Sequence, residues 1–402
     1  MSIKNLSSHF KKFRISILIL LCSVIFIFLV TGCEEEPTGL GLNFVPSGDT
    51  LKSIVLDSRV DTIMITGSNP RKYINTSSSA NLLVGLFQSY ISKALLKFIS
   101  ITPEYDSATV LSASLNMRSN DYFFEDSLGL TSFDIFSLTQ SFDFTEIKYD
   151  ELTSSSIGQT AIGTYSGTPT NLTNVSINLD NQTVQGWLNY AADTNHSTKN
   201  YGIVMLPNSS SNTIKSFYSS TQLDTVRPSL TVIVSKNSNI DTLTLNVSQS
   251  VSLNDAPTSI IPQDRFILQS GISFRNIIKY DLTKLPPNVT INMAMIELTL
   301  DKANSYITTN SDERLLIGML TDTVEQKTDD LGYYAYKKDS ITYMTYLNPI
   351  FQKWNSGVSP NYGLLFANVS EYSNLDRFVF YSNTYADVNR RPRLKIIYTI
   401  RN

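Results

Sequence analysis

The sequence predicts an all-β protein: two tandem jelly-roll-like β-sandwich domains behind a signal peptide and a flexible tether. Three observations carry that expectation. A signature is written twice: Trp187, Asn200-Tyr201-Gly202, Phe217-Tyr218-Ser219 and Arg227-Pro228 recur as Trp354, Asn361-Tyr362-Gly363, Phe380-Tyr381-Ser382 and Arg391-Pro392. The copies lie about 160 residues apart, too far for a solenoid period, so each is expected to be a globular unit. Short β-branched or alternating runs bounded by Asn, Ser, Asp, Gly and Pro fill the chain. Composition agrees: 42% hydrophobic and 17% charged residues are globular, and 21 Tyr and 20 Phe against 2 Trp suit the pleated face of a sheet.

Residues 1–32 read as a lipoprotein signal peptide. Lys4, Lys11, Lys12 and Arg14 form a basic start, and the apolar run over 15–30 falls short of a spanning helix. It ends in Leu29-Val30-Thr31-Gly32-Cys33, which resembles a bacterial lipobox, so Cys33 is the expected lipidation site and the membrane a partner through the lipidated N-terminus. An uncleaved N-terminal membrane anchor is the competing reading. Glu34-Glu35-Glu36 resembles the export signal of some Gram-negative surface lipoproteins, which implies the outer membrane, facing the cell surface, with the periplasmic face as the alternative. Loss of residues 1–32 takes the net charge from −3 to −7 and leaves no basic tract, which argues against nucleic acid. It also removes Cys22, and acylation of Cys33 leaves neither disulfide nor free thiol.

Residues 33–49 are too rich in Gly and Pro for regular structure and read as an acidic tether. Strand patterns follow at 51–64, 94–99, 110–117, 230–234, 242–247, 291–300, 315–320 and 394–398. Helical spacing is confined to Val184-Trp187-Leu188 and Ile350-Phe351-Trp354, at i, i+3 and i+4. The sandwiches are expected over 50–236 and 237–402, joined by a very short linker at Lys236-Asn237-Ser238-Asn239, as a semi-rigid rod.

Further matches support the repeat. Leu96-Lys97-Phe98 corresponds to Ile278-Lys279-Tyr280, and 113–117 to 294–298, each pair separated by a Pro-containing turn. This succession, ending in Asn-Tyr-Gly, Phe-Tyr-Ser and Arg-Pro-x-Leu, resembles the DNRLRE-type domain, grouped with carbohydrate-binding module family 96. The resemblance covers about residues 50–235 and 240–400. It implies a jelly roll and names no ligand. The first strands lack the family's acidic-led pattern, and the loops are longer and richer in Ser, Thr and Asn. The segment after Cys33 is also similar to an uncharacterised family of Gram-negative lipoproteins.

Within the signature, Asn-Tyr-Gly is expected to enter a buried strand with Gly at φ > 0 or in close packing. Trp187 and Trp354 are expected as core anchors rather than sugar platforms, and Arg227 and Arg391 as structural clamps rather than carboxylate receptors. Outside 1–32 the one histidine is His196, in a polar loop without a nucleophile elbow, so no Ser-His-Asp or Cys-His triad and no zinc, copper or haem site is expected. A glycosidase needs only two carboxylates, but none stands out by motif, and the chain is read as not an enzyme. No cofactor is expected beyond a structural calcium, which sandwich modules often hold on loop carboxylates and for which Asp121, Asp126, Asp312 and Glu313 lie in candidate loops.

The copies diverge in their middle loops, and candidate ligand contacts lie there. In the second, Tyr333, Tyr334 and Tyr336 stand beside Lys337 and Lys338; in the first, Tyr122, Phe123 and Phe124 lie between Asp121 and Glu125. Rings stack on sugars, and lysine suits an acidic polysaccharide; a half-buried strand edge is the competing reading. The sequence thus points to a non-catalytic surface lipoprotein binding polysaccharide or another surface component, or else to an assembly subunit making protein contacts.

Overall fold

The computed structural model describes residues 52–400 apart from 197 and 310. The expected signal peptide, Cys33 and tether lie outside the described residues.

The chain is almost entirely antiparallel β-structure. β1 (Lys52–Asp57) and β2 (Ile65–Ser68) come first, then a hairpin of β3 (Asn81–Phe87) and β4 (Tyr90–Phe98). β5 (Thr109–Phe124), β6 (Thr131–Ser137), β7 (Gly163–Gly167) and β8 (Asn174–Asn178) lead into helix α1 (Asn181–Ala192). β9 (Ile203–Pro207), β10 (Ile214–Tyr218) and β11 (Ser229–Lys236) complete the first copy.

In the second copy β12 (Asn239–Asp255), β13 (Arg265–Gln269), β14 (Asn276–Tyr280) and β15 (Thr290–Thr299) precede β16 (Leu315–Asp322) and β17 (Lys327–Thr328). β18 (Tyr333–Lys337), β19 (Thr342–Tyr346), helix α2 (Asn348–Asn355), β20 (Leu364–Asn368), β21 (Arg377–Tyr381) and β22 (Arg393–Ile400) follow.

Local patterning explains most elements. In β11, Leu230, Val232 and Val234 alternate inward, as Leu394, Ile396 and Tyr398 do in β22. In α1 the Asp180 side chain caps by accepting from Thr183 N at 2.8 Å, and Val184, Trp187 and Leu188 form the buried stripe. In α2 the stripe is Ile350, Phe351 and Trp354.

The strands form two ten-stranded sheets. One runs β12-β11-β5-β10-β3-β4-β9-β6-β7, with β8 on β5; the other runs β1-β22-β15-β19-β18-β16-β20-β14-β2, with β17 on β16. β13 and β21 form a separate pair.

The order contains a reciprocal exchange. The segment expected to link two sheets at 236–239 is instead a tight hairpin: Lys236 pairs with Asn239, while Asn237 and Ser238 sit at φ 52° and 65°. Two consecutive positive-φ residues define a type I′ turn, whose twist folds β12 back on β11. β12 then shifts register between Val247 and Gln249 and pairs its second half with β4, closing the first copy's sheet. β1 and β2 take the matching places in the second copy, beside β22 and β14. Arg393 clamps β1, with Nη2 at 2.5 Å and Nε at 3.0 Å from the Asp57 carboxylate. Each sheet is therefore completed by the opening strand segment of the other copy.

Burial shows the weight of this exchange. Leu245, Val247, Val251 and Leu253 of β12 are all at most 2% exposed. Four such side chains contribute on the order of 8 kcal/mol, comparable to the whole stability of an ordinary domain at about 5–15 kcal/mol. A buried cluster joins the copies directly: Leu83, Tyr90, Tyr122, Phe124 and Ile214 pack on Ile267, Ile272, Phe274, Leu375 and Val379.

Candidate functional site

The shared signature is architectural. Trp187 is 1% and Trp354 8% exposed, Trp187 within the core of the first copy. Gly202 and Gly363 sit at φ 105° and 104°, and a Cβ would lie 2.4 Å from Leu96 O in one and 2.9 Å from Ile278 O in the other. Only glycine fits these crossings. Arg227 donates through Nε and Nη2 to Gln222 O and pairs with Asp224, while Arg391 donates to Tyr385 O at 2.6 Å. Both arginines clamp their own loops.

The candidate rings of the first copy belong to the contact between copies. Tyr122 and Phe124 are buried because β5 runs on through Phe124 instead of ending in a loop, so alternate residues turn inward. The Tyr122 hydroxyl accepts from Leu375 N at 2.7 Å, and Phe124 packs edge-on to Tyr306 at 5.0 Å. Phe123 is half-buried, with Lys215 Nζ 5.4 Å from its ring. Glu125 accepts from Arg377 of the second copy at 2.7 Å. Asp376 is buried in this contact and faces the hydroxyls of Tyr122 and Thr308, and burial pushes its carboxyl above the ordinary value.

In the second copy β18 sorts the candidates onto two faces. Tyr333, Ala335 and Lys337 share one face, and Ala335 is buried; Tyr334 and Tyr336 share the other. Lys337 is held by Glu313, which Tyr343 also contacts. Lys338 reaches Glu297 Oε1 at 3.2 Å, and Arg393 reaches its other oxygen at 2.9 Å. Burial works to raise the Glu297 pKa, but these hydrogen bonds prevail and hold it below the ordinary value.

The outer face carries three exposed tyrosines, with the Tyr334 and Tyr336 rings tilted 61° to one another. Tyr334 pairs with Leu316, Tyr336 with Met344, and Tyr346 lies two residues further along β19. Tyr336 is 57% and Tyr346 53% exposed, and the Tyr334 and Tyr336 rings stand 6.5 Å apart. Arg314 sits 4.9 Å over Tyr334 while its guanidinium grips Asp312. Tyr346, Leu316 and Met344 were not legible as site residues; the register that brings them beside Tyr334 and Tyr336 is a tertiary property.

The carboxylates weighed as calcium ligands have local partners: Asp312 holds Arg314, Glu313 holds Lys337, and Asp126 caps Leu128 N. His196 is exposed in the loop after α1.

A concavity lies in the first copy. It has a volume of about 400 Å³ between the end of α1, the end of β4 and the Asn-Tyr-Gly entry to β9, and is lined by Trp187, Tyr190, Tyr201, Lys97 and Lys199 among others. Lys199 Nζ stands 5.8 Å from the Tyr190 ring and 5.2 Å from the Tyr201 ring. These residues adjoin the signature, which hid them among fold determinants.

A scan against protein-family models finds no match for the chain, and no curated protein matches it.

Proposed function

We propose that this chain is a non-catalytic, lipid-anchored outer-membrane protein that displays a polysaccharide-binding face at the cell surface. The observation that carries this is the exposed strip of Tyr334, Tyr336 and Tyr346 on a sheet face. Tyrosine rings held by a sheet offer flat apolar area with little conformational entropy to lose, and their hydroxyls remain free to meet sugar hydroxyls. The lipobox-like Cys33 and the resemblance to DNRLRE-type domains support the same reading.

A second reading is an assembly subunit, favoured by Leu316 and Met344 within the strip, since Tyr, Met and Arg are enriched at protein interfaces. The experiment is a glycan array and affinity electrophoresis of the full chain beside its Tyr334→Ala/Tyr336→Ala/Tyr346→Ala variant. Retention that the variant loses supports polysaccharide binding. Folded protein retained by no polysaccharide sinks it, and loss of a co-purifying protein in the variant establishes the second reading.

A further inference from the structure

We propose that the concavity of the first copy is a selective site for a sugar ring bearing a phosphate or sulfate ester. It rests on the reading of the chain as a saccharide binder and adds a specificity determinant remote from the tyrosine strip.

The size and walls fit one ring. A volume of about 400 Å³ lies within the range of small-ligand pockets. Trp187 lines it from the core, and Tyr190 and Tyr201 hold Lys199 between their faces. Trp187 is buried and only backs the floor, so Tyr190 and Tyr201 are the rings that meet the apolar face of a sugar, while two ammonium groups, Lys97 and Lys199, select for an anion.

The cations are available. Among the described residues no carboxylate lines the concavity, and neither Lys97 nor Lys199 makes a salt bridge, whereas Lys327, Lys337, Lys338 and Lys353 each have an acidic partner. Hydrogen bonds from the Thr145 side chain and backbone hold the Asp143 carboxyl below its ordinary pKa, with Lys97 a smaller contributor that forms no ion pair with it. Two lysines and no arginine also specify the anion's shape. A guanidinium fork matches a planar carboxylate in two parallel bonds, while ammonium groups act as point charges with rotatable donors and suit a tetrahedral oxyanion approached from two sides.

The second copy supplies an internal control. It retains Lys279, Trp354 and Tyr362, but Gly357 stands where the first copy has Tyr190 and Pro360 where it has Lys199. Helix α2 has 8 residues against 12 in α1, so the turn that carries Tyr190 is missing. Lys353 there is 3.6 Å from Asp329. The shared residues build the frame, and the two that differ turn it into a site.

The test is affinity electrophoresis of the full chain in gels holding dextran, dextran sulfate, dextran phosphate or carboxymethyl-dextran at matched charge density. Retardation is expected with the sulfate or the phosphate form, whichever binds identifying the ester, and little with carboxymethyl-dextran or dextran. Lys199→Ala and Tyr190→Ala are each expected to weaken it about tenfold, with unchanged circular dichroism. Equal retardation by carboxymethyl-dextran, or variants that bind like the parent, overturns the proposal. Failure with all four gels while an array polysaccharide is still retained through the tyrosine strip overturns this site alone; failure of both overturns saccharide binding itself.

Discussion

The two copies agree where their chains are buried and part at the rim. After Trp187, helix α1 continues to Ala192 and a long loop returns at Lys199; after Trp354, helix α2 stops at Asn355 and Pro360 brings the chain straight back. The same tryptophan and Asn-Tyr-Gly corner thus frame an open concavity in one copy and a short turn in the other. A shared signature here reports what both copies need to fold, and the proposed sites lie where the copies differ.

The exchange of opening strands makes the copies interdependent, and this yields the largest expected effect. A fragment covering 50–236 lacks β12, keeps a β1 and β2 whose partners are gone, and leaves the core side of β11 and β4 open. It is expected to show no cooperative melt. A fragment covering 69–255 omits β1 and β2, includes β12, and is expected to melt cooperatively by near-ultraviolet circular dichroism. If 50–236 folds and 69–255 does not, the exchange is wrong.

Much of the local structure was readable in advance because it depends on near neighbours. Alternation in β11 and β22 and the i, i+3, i+4 stripes around both tryptophans state which side is buried without stating against what. Partner choice is another matter. β1, β2 and β12 carry ordinary strand patterns that suit either copy, and only the positive-φ pair Asn237-Ser238 decides where β12 turns. That polar pair between two β-runs is itself a hairpin signal, read as a linker because the sequence repeat suggested a boundary there. The rings of Tyr122 and Phe124 misled for a related reason. Asp121 and Glu125 bracket them with charge, as a loop would, but Glu125 is matched by Arg377 from the other copy, which no local pattern discloses.

Glycine replacements test whether the shared corners are equally tight. Gly202→Ala is expected to cost about 3 kcal/mol and Gly363→Ala about 2 kcal/mol, the left-handed backbone contributing to both and the closer approach to Leu96 O making the first worse. Urea denaturation of each full-length variant measures the difference, and equal losses would show that backbone strain, not the crossing distance, dominates.

Asp376 probes the contact between copies through pH. Its folded pKa lies above the ordinary 3.8, with burial the leading cause, so the folded state binds more protons than the unfolded one in that window. Stability contributed by this group therefore falls as pH rises from about 4 through the raised value. Asp57 runs the other way: the Arg393 hydrogen bonds lower its pKa, and its contribution is lost as pH falls. Asp376→Asn should abolish the first slope and leave the acid-side loss. Urea midpoints measured across that range decide it, and an unchanged slope would mean that Asp376 is not the titrating group.

The smallest effect concerns the residue that ends α2 where α1 continues. Gly357 has φ 71°, its N–H bonds Trp354 O at 3.2 Å, and a Cβ there would meet nothing within 4 Å. Its role is therefore conformational and not steric: it turns the chain away just beyond the helix end at Asn355 by adopting the left-handed region. Gly357→Ala is expected to cost about 1 kcal/mol, while Gly357→Asn, whose side chain tolerates that conformation, should cost only a few tenths. Equal losses for Ala and Asn in urea melts would point to an undetected packing role, whereas a graded pair ties the early end of α2 to one backbone angle.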